Sequence, residues 1–126
     1  MRPFPHLTAT LLLFIGGAAR AECDMPMRAI DGPPSAQLAA AEKDLHAGRT
    51  SSAYREADAV LGQTAATDAQ RAEAHAIEGW VDWRNGLKPA ALDQLAKAKA
   101  LDPGAVAPVL ALAPDSKAKE ELRKEL

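Results

Sequence analysis

From residue 35 onward the apolar positions of the chain recur every three or four residues, the spacing of one buried face on an α-helix. Leu38, Ala41 and Leu45 fall on one stripe and predict a helix from Ser35 to Ala47, with Gly48 as its C-cap. Ala53, Tyr54, Ala57, Val60 and Leu61 form the next stripe. Thr50 or Ser51 is placed to cap its start and Gly62 to end it. Thr67-Asp68-Ala69-Gln70 has the form of a capping box, in which the Thr hydroxyl and the Gln side chain satisfy free backbone amides reciprocally. It opens the longest predicted helix, which runs to Asn85 with Ala69, Ala72, Ala76, Ile77 and Trp80 as its buried set. Gly86 stops that helix, and Lys88-Pro89 starts another, with Pro in the first turn where its missing N–H is not needed. Ala91, Leu92, Leu95, Ala98 and Leu101 are its inner face. Asp102-Pro103-Gly104 breaks the pattern. A short helical turn is expected over 105–112, and a last helix over 117–125 whose apolar positions are only Ala118, Leu122 and Leu126. Its lysines and acids alternate, as on a solvated face, and it reads as a polar cap.

The first residues carry a different pattern. Met1-Arg2 gives a positive start, Leu7 to Ala18 is almost wholly apolar or small, and Ala19-Arg20-Ala21 supplies an A-x-A site. This is the layout of a secretory signal peptide, and the apolar run is too short to span a bilayer. The expected mature chain begins at Glu22 and is periplasmic or secreted. Cys23 follows the apolar run as a lipidated cysteine would, but Glu22 stands where such a site needs a small residue. Residues 22–34 hold Met25-Pro26-Met27 and Asp31-Gly32-Pro33-Pro34, which do not fit inside a regular helix, and read as a flexible tether. The domain proper is expected over 35–126.

Charge narrows the partners. Without residues 1–21 the chain loses Arg2 and Arg20 and no acid, leaving 13 basic against 17 acidic residues, or −4. That disfavours nucleic acid and anionic membrane surfaces, both of which require a basic face. Nothing after the signal is apolar for long enough to enter a membrane. Aromatic residues make up only 4% of the sequence, so the helices must approach one another through alanine and other small side chains. The single cysteine has no partner for an internal disulfide.

Two pairs of predicted helices each enclose a Gly turn. Setting Gly48 on Gly86, an offset of 38 residues, superposes Ala53 on Ala91, Ala57 on Leu95 and Val60 on Ala98. Within 72–105, Gly79, Gly86, Ala91, Leu95, Ala98 and Pro103 stand at the spacings of a tetratricopeptide repeat, and Ala98-Lys99-Ala100-Leu101-Asp102-Pro103 resembles the usual ending of such a repeat. Residues 38–65 resemble a degenerate second copy through Gly48 and Ala53. Asp82 stands where the family commonly has a Tyr. The resemblance implies an all-α fold, a short right-handed stack of antiparallel helical hairpins with a C-terminal capping helix. Independently of it, small residues at Gly79, Ala91 and Ala98 would let two helices approach closely while Leu95 fills the gap between them. So short an array also makes a homodimer a possible partner state.

The chemistry on offer is sparse. His46 and His75 stand alone, without zinc-type spacing, and there is no Gly-rich phosphate loop and no CxxC. No nucleophile, base and orienting group fall together, so neither an enzyme nor a cofactor is expected. Glu42 and His46, four apart, read as a solvated surface pair. Cys23, Met25 and Met27 offer one thiolate and two thioethers, soft ligands of the kind that select Cu(I), which gives a metal-handling alternative. By the resemblance, the first helix of each pair lines a concave groove that holds a peptide or helix of another protein. Glu73, Ala76, Trp80, Trp83 and Arg84 would face that groove, with Glu42, Leu45 and His46 from the earlier pair. Trp and Arg are the side chains most enriched at binding hot spots, and Arg84 beside two indoles suits a partner's carboxylate. The other reading of both indoles is core, buried under the C-terminal helix.

Overall fold

The computed structural model describes residues 32–126, and every regular element in them is a helix. In chain order these are α1 (Pro34–His46), α2 (Thr50–Leu61), α3 (Asp68–Arg84), α4 (Lys88–Leu101), α5 (Val106–Leu112) and α6 (Ser116–Glu125). The fold is therefore all-α. The expectations for a signal peptide over 1–21, and for Cys23, Met25 and Met27, lie outside the described residues. No helix among those described is long and apolar enough to cross a membrane.

The helix ends follow from local chemistry. Thr67 Oγ1 accepts from the Gln70 amide at 3.1 Å, and Gln70 Oε1 accepts from the Thr67 amide at 2.9 Å, closing the capping box at the start of α3. Asp115 Oδ1 accepts from the Ala118 amide at 3.1 Å and caps α6. Gly48 and Gly86 take φ of +83° and +82°, a left-handed geometry that side chains resist, and so turn the chain back after α1 and α3. Helix α1 starts one residue earlier than its pattern predicts, at Pro34, whose fixed φ suits a first turn. Gly32, assigned to the tether, is held: its carbonyl accepts from Gln63 Nε2 at 3.0 Å, and the same nitrogen donates to Gln37 Oε1 at 2.6 Å.

Two helical hairpins, α1–α2 and α3–α4, pack through the α2–α3 interface, and α5 and α6 then return over α1 and α3. Helix α3 is the hub. From Ala76 to Trp83 each of its residues is buried, because other helices meet it on all sides. A single core runs from Leu38, Ala41 and Leu45 through Val60, Ile77, Trp80 and Leu95 to Val109, Leu110 and Leu122. Where α3 meets α4, a Cβ added to Gly79 would lie 2.8 Å from Leu95 Cγ and 3.2 Å from the Ala91 carbonyl oxygen. The close approach predicted for that crossing is thus present. Leu101 departs from expectation: it stands at the end of α4 next to the Asp102 break and is 37% exposed.

Candidate functional site

On α3, Ala69, Glu73, Ala76, Trp80 and Trp83 succeed one another at alternating steps of four and three and so share one face. The expected peptide groove would leave this stripe open. Instead the chain covers it with its own C-terminal segment. Ala76 and Trp80 are completely buried, and Trp83 is 6% exposed. Leu45, the α1 residue expected to face the groove, is also completely buried. The correction has a simple cause, since two indoles left in water would forgo much of the apolar burial open to so small a domain. Helices α5 and α6 pack against α3, and their Val109, Leu110 and Leu122 belong to the same buried core as the indoles.

Trp83 is fixed by more than burial. Its Nε1 donates to the Ala118 carbonyl of α6 at 3.1 Å, and Lys88 Nζ lies over the ring, 5.0 Å from its centroid. Arg84, exposed, pairs with Asp115 at 3.6 Å. The carboxylate that Arg84 was expected to take from a partner is thus provided within the chain. Trp83→Phe keeps a six-membered aromatic ring but removes the pyrrole ring with its bond to Ala118. We expect it to cost about 1 kcal/mol and to raise amide exchange in residues 116–125 well before the core, as hydrogen exchange would read out.

At the other end of the stripe lies a cavity of about 230 Å³. Glu42 of α1 and Ala69 and Glu73 of α3 form one side, and Pro108, Val109 and Leu112 of α5 the other. The turn between α4 and α5 closes its rim with Asp102 and Gly104. His46 lies beside it, with Nδ1 donating to the Leu112 carbonyl at 3.2 Å, so α1 holds the end of α5. Glu42 therefore does not act with His46 as a surface pair. It meets Glu73. Burial pushes the Glu73 carboxyl up to about 8, and a hydrogen bond to Glu42 and the charge of Glu42 add to the effect. One oxygen of Glu73 is buried with no donor in reach among the described residues.

Two more acids of this kind were not singled out in the sequence. Glu56, 4% exposed, is pushed up to about 7 by burial, by its hydrogen bond to Asp44 and by the charge of Asp44. Burial tends to raise Asp44 too, but bonds from Glu56 and Arg49 outweigh it and leave this carboxyl lowered. Glu78, 2% exposed, is raised to about 8 by burial, then by the charge of Asp58, the hydrogen bond to Asp58 and the charge of Asp82. A sequence signal existed. Glu56 lies on the stripe of Ala53, Ala57 and Val60, and Glu78 on that of Ala74, Ile77 and Val81, so each acid sits among core positions.

A second, shallower hollow of about 390 Å³ lies between Ser51 and Tyr54 of α2 and Val81, Asp82, Asn85 and Leu87 at the end of α3. Burial, with the charges of Glu78, Asp82 and Asp58, raises the Tyr54 hydroxyl. His75 is occupied elsewhere, with Nδ1 2.7 Å from Gln94 Oε1. Among the described residues, no three His, Cys, Asp or Glu side chains are grouped as a metal ion requires. Comparison with protein-family models, with curated proteins and with solved structures gave no match.

Proposed function

We propose that this protein is an exported interaction module of the tetratricopeptide-repeat kind, which receives a helix or peptide of another envelope protein on the α1–α3 face. It would do so by capture alone, without a covalent step. One observation carries the reading: that face already seats a short helix, the chain's own α5, and keeps beneath it a cavity large enough for a partner's side chain. The site is accordingly moved from the tryptophans to Glu42, Glu73 and the underside of α5. The net acidity of the described helices favours a partner segment of basic or neutral character.

The test is site-specific photo-crosslinking in cells. A photoreactive residue replaces Ala69, exposed at the rim of the cavity, or Lys99, exposed on α4. A discrete adduct with one other protein from position 69, and none from position 99, is the expected result. Adducts only with the chain's own residues 105–112, or the same adducts from both positions, would overturn the proposal.

A further inference from the structure

The hollow between α2 and the end of α3 lies apart from the α1–α3 face, and it contains a carboxylate without a counterpart. Asp82 lines it and is only 7% exposed. Among the described residues the Asp82 side chain makes no hydrogen bond and no ion pair. The two bases nearest to it along the chain are directed elsewhere. Arg84 pairs with Asp115 at 3.6 Å, and Lys88 lies over the Trp83 ring. A carboxylate withdrawn from water with neither a donor nor a cation costs stability, and a cation brought to it from outside recovers that cost.

We propose that this hollow is a binding site for a primary ammonium group carried on an alkyl chain, with Asp82 as its counter-ion. The residues around Asp82 suit both parts of such a ligand. The Ser51 and Tyr54 hydroxyls and the Asn85 side-chain oxygen line the same hollow and are acceptors for the N–H donors that Asp82 leaves free. Val81 and Leu87 give the alkyl chain an apolar wall. Leu87 is 54% exposed, so a chain laid along it removes apolar surface from water.

The electrostatics select a cation. Burial raises the Asp82 carboxyl, and no base among the described residues counters it. The Tyr54 hydroxyl is raised by burial and then by the charges of Glu78, Asp82 and Asp58, all of one sign. An anion would meet that same charge and be repelled. A metal ion is not suited either, since no three His, Cys, Asp or Glu side chains are grouped among the described residues. An ammonium needs only one carboxylate and neutral oxygens, which is the set present.

Amide NMR of the purified protein, titrated at neutral pH with pentylamine, tests the proposal. Pentanol serves as the uncharged chain of the same length, and N-acetyl-lysine amide as the ammonium of a protein side chain. Pentylamine is expected to shift the amides around Ser51, Tyr54, Asp82 and Leu87 and to bind roughly tenfold or more tightly than pentanol. Asp82→Asn removes the charge at nearly constant volume and should abolish that preference. Tighter binding of pentylamine than of the lysine derivative assigns the site to free amines, and the reverse order assigns it to a lysine of another protein. Either order supports the site. No binding of either amine, equal binding of pentylamine and pentanol, shifts centred on Glu42 and Glu73 instead, or a preference unchanged in folded Asp82→Asn would overturn the proposal. The comparison with pentanol needs only the wild type, so it decides the matter even if the variant does not fold.

Discussion

Trp80→Ala is expected to remove most of the stability of this domain. The indole is completely buried at the meeting of α3 with the rest of the core, so its loss leaves a cavity that backbone helices cannot collapse to fill. Buried aromatic residues cut to alanine cost about 3–5 kcal/mol, and a domain of this size has only about 5–10 to lose. Thermal unfolding followed by circular dichroism should show the melting temperature down by roughly 15 °C or more, or no cooperative transition. Trp80→Phe should be much milder. Trp80 Nε1 is buried without an acceptor among the described residues, and phenylalanine removes that unpaired donor while keeping most of the ring. A melting temperature for Trp80→Ala within a few degrees of wild type would mean that the stripe on α3 is not closed as described.

Gly79→Val should have an effect of similar size for the opposite reason, too much volume where Trp80→Ala leaves too little. At this crossing a first carbon would already stand 2.8 Å from Leu95 Cγ and 3.2 Å from the Ala91 backbone oxygen. Neither neighbour can step aside, since Leu95 is 1% exposed and Cγ is the branch point of its side chain, not its free end. Helices α3 and α4 would have to separate. Overpacking costs about 1–3 kcal/mol, and a β-branched residue with two further methyls belongs at or above the top of that range. Gly79→Ala makes the cleaner comparison, because alanine returns about 1 kcal/mol of helix propensity and its net loss should be smaller. Denaturant titration of the two variants should rank them in that order. A stabilised Gly79→Ala would show that the crossing has room to spare.

Most of the secondary structure was legible in the sequence, because the stops and starts here rest on local rules. Gly48 and Gly86 need no tertiary partner to favour a left-handed turn, Thr67 and Gln70 cap each other, and Asp102-Pro103-Gly104 cannot continue a helix. The apolar period also placed Leu38, Ala57, Ile77 and Leu95 correctly in the core. What the period does not contain is the identity of the surface that covers a face. Ala76, Trp80 and Trp83 form the same stripe whether a partner's helix lies over them or α5 and α6 do. The seven residues of α5 carry too short a pattern to announce that they reach back to α1. The buried acids were missed for a related reason. An acid is ordinarily solvated, and only its register within an apolar stripe betrays Glu56 and Glu78.

The bond from His46 to Leu112 joins positions 66 residues apart, whereas the main packing of α1 to α4 is between consecutive helices. Consecutive contacts close short loops and form early; a contact across most of the domain must wait for its ends to meet, and it repays less of the chain entropy it consumes. The order of assembly follows. The four longer helices should condense rapidly as neighbours, and residues 105–126 should settle last, on a surface that is by then already formed. For a brief interval in every folding event the tryptophan face of α3 is therefore bare, and it is then that this molecule is most open to sticking to another copy of itself.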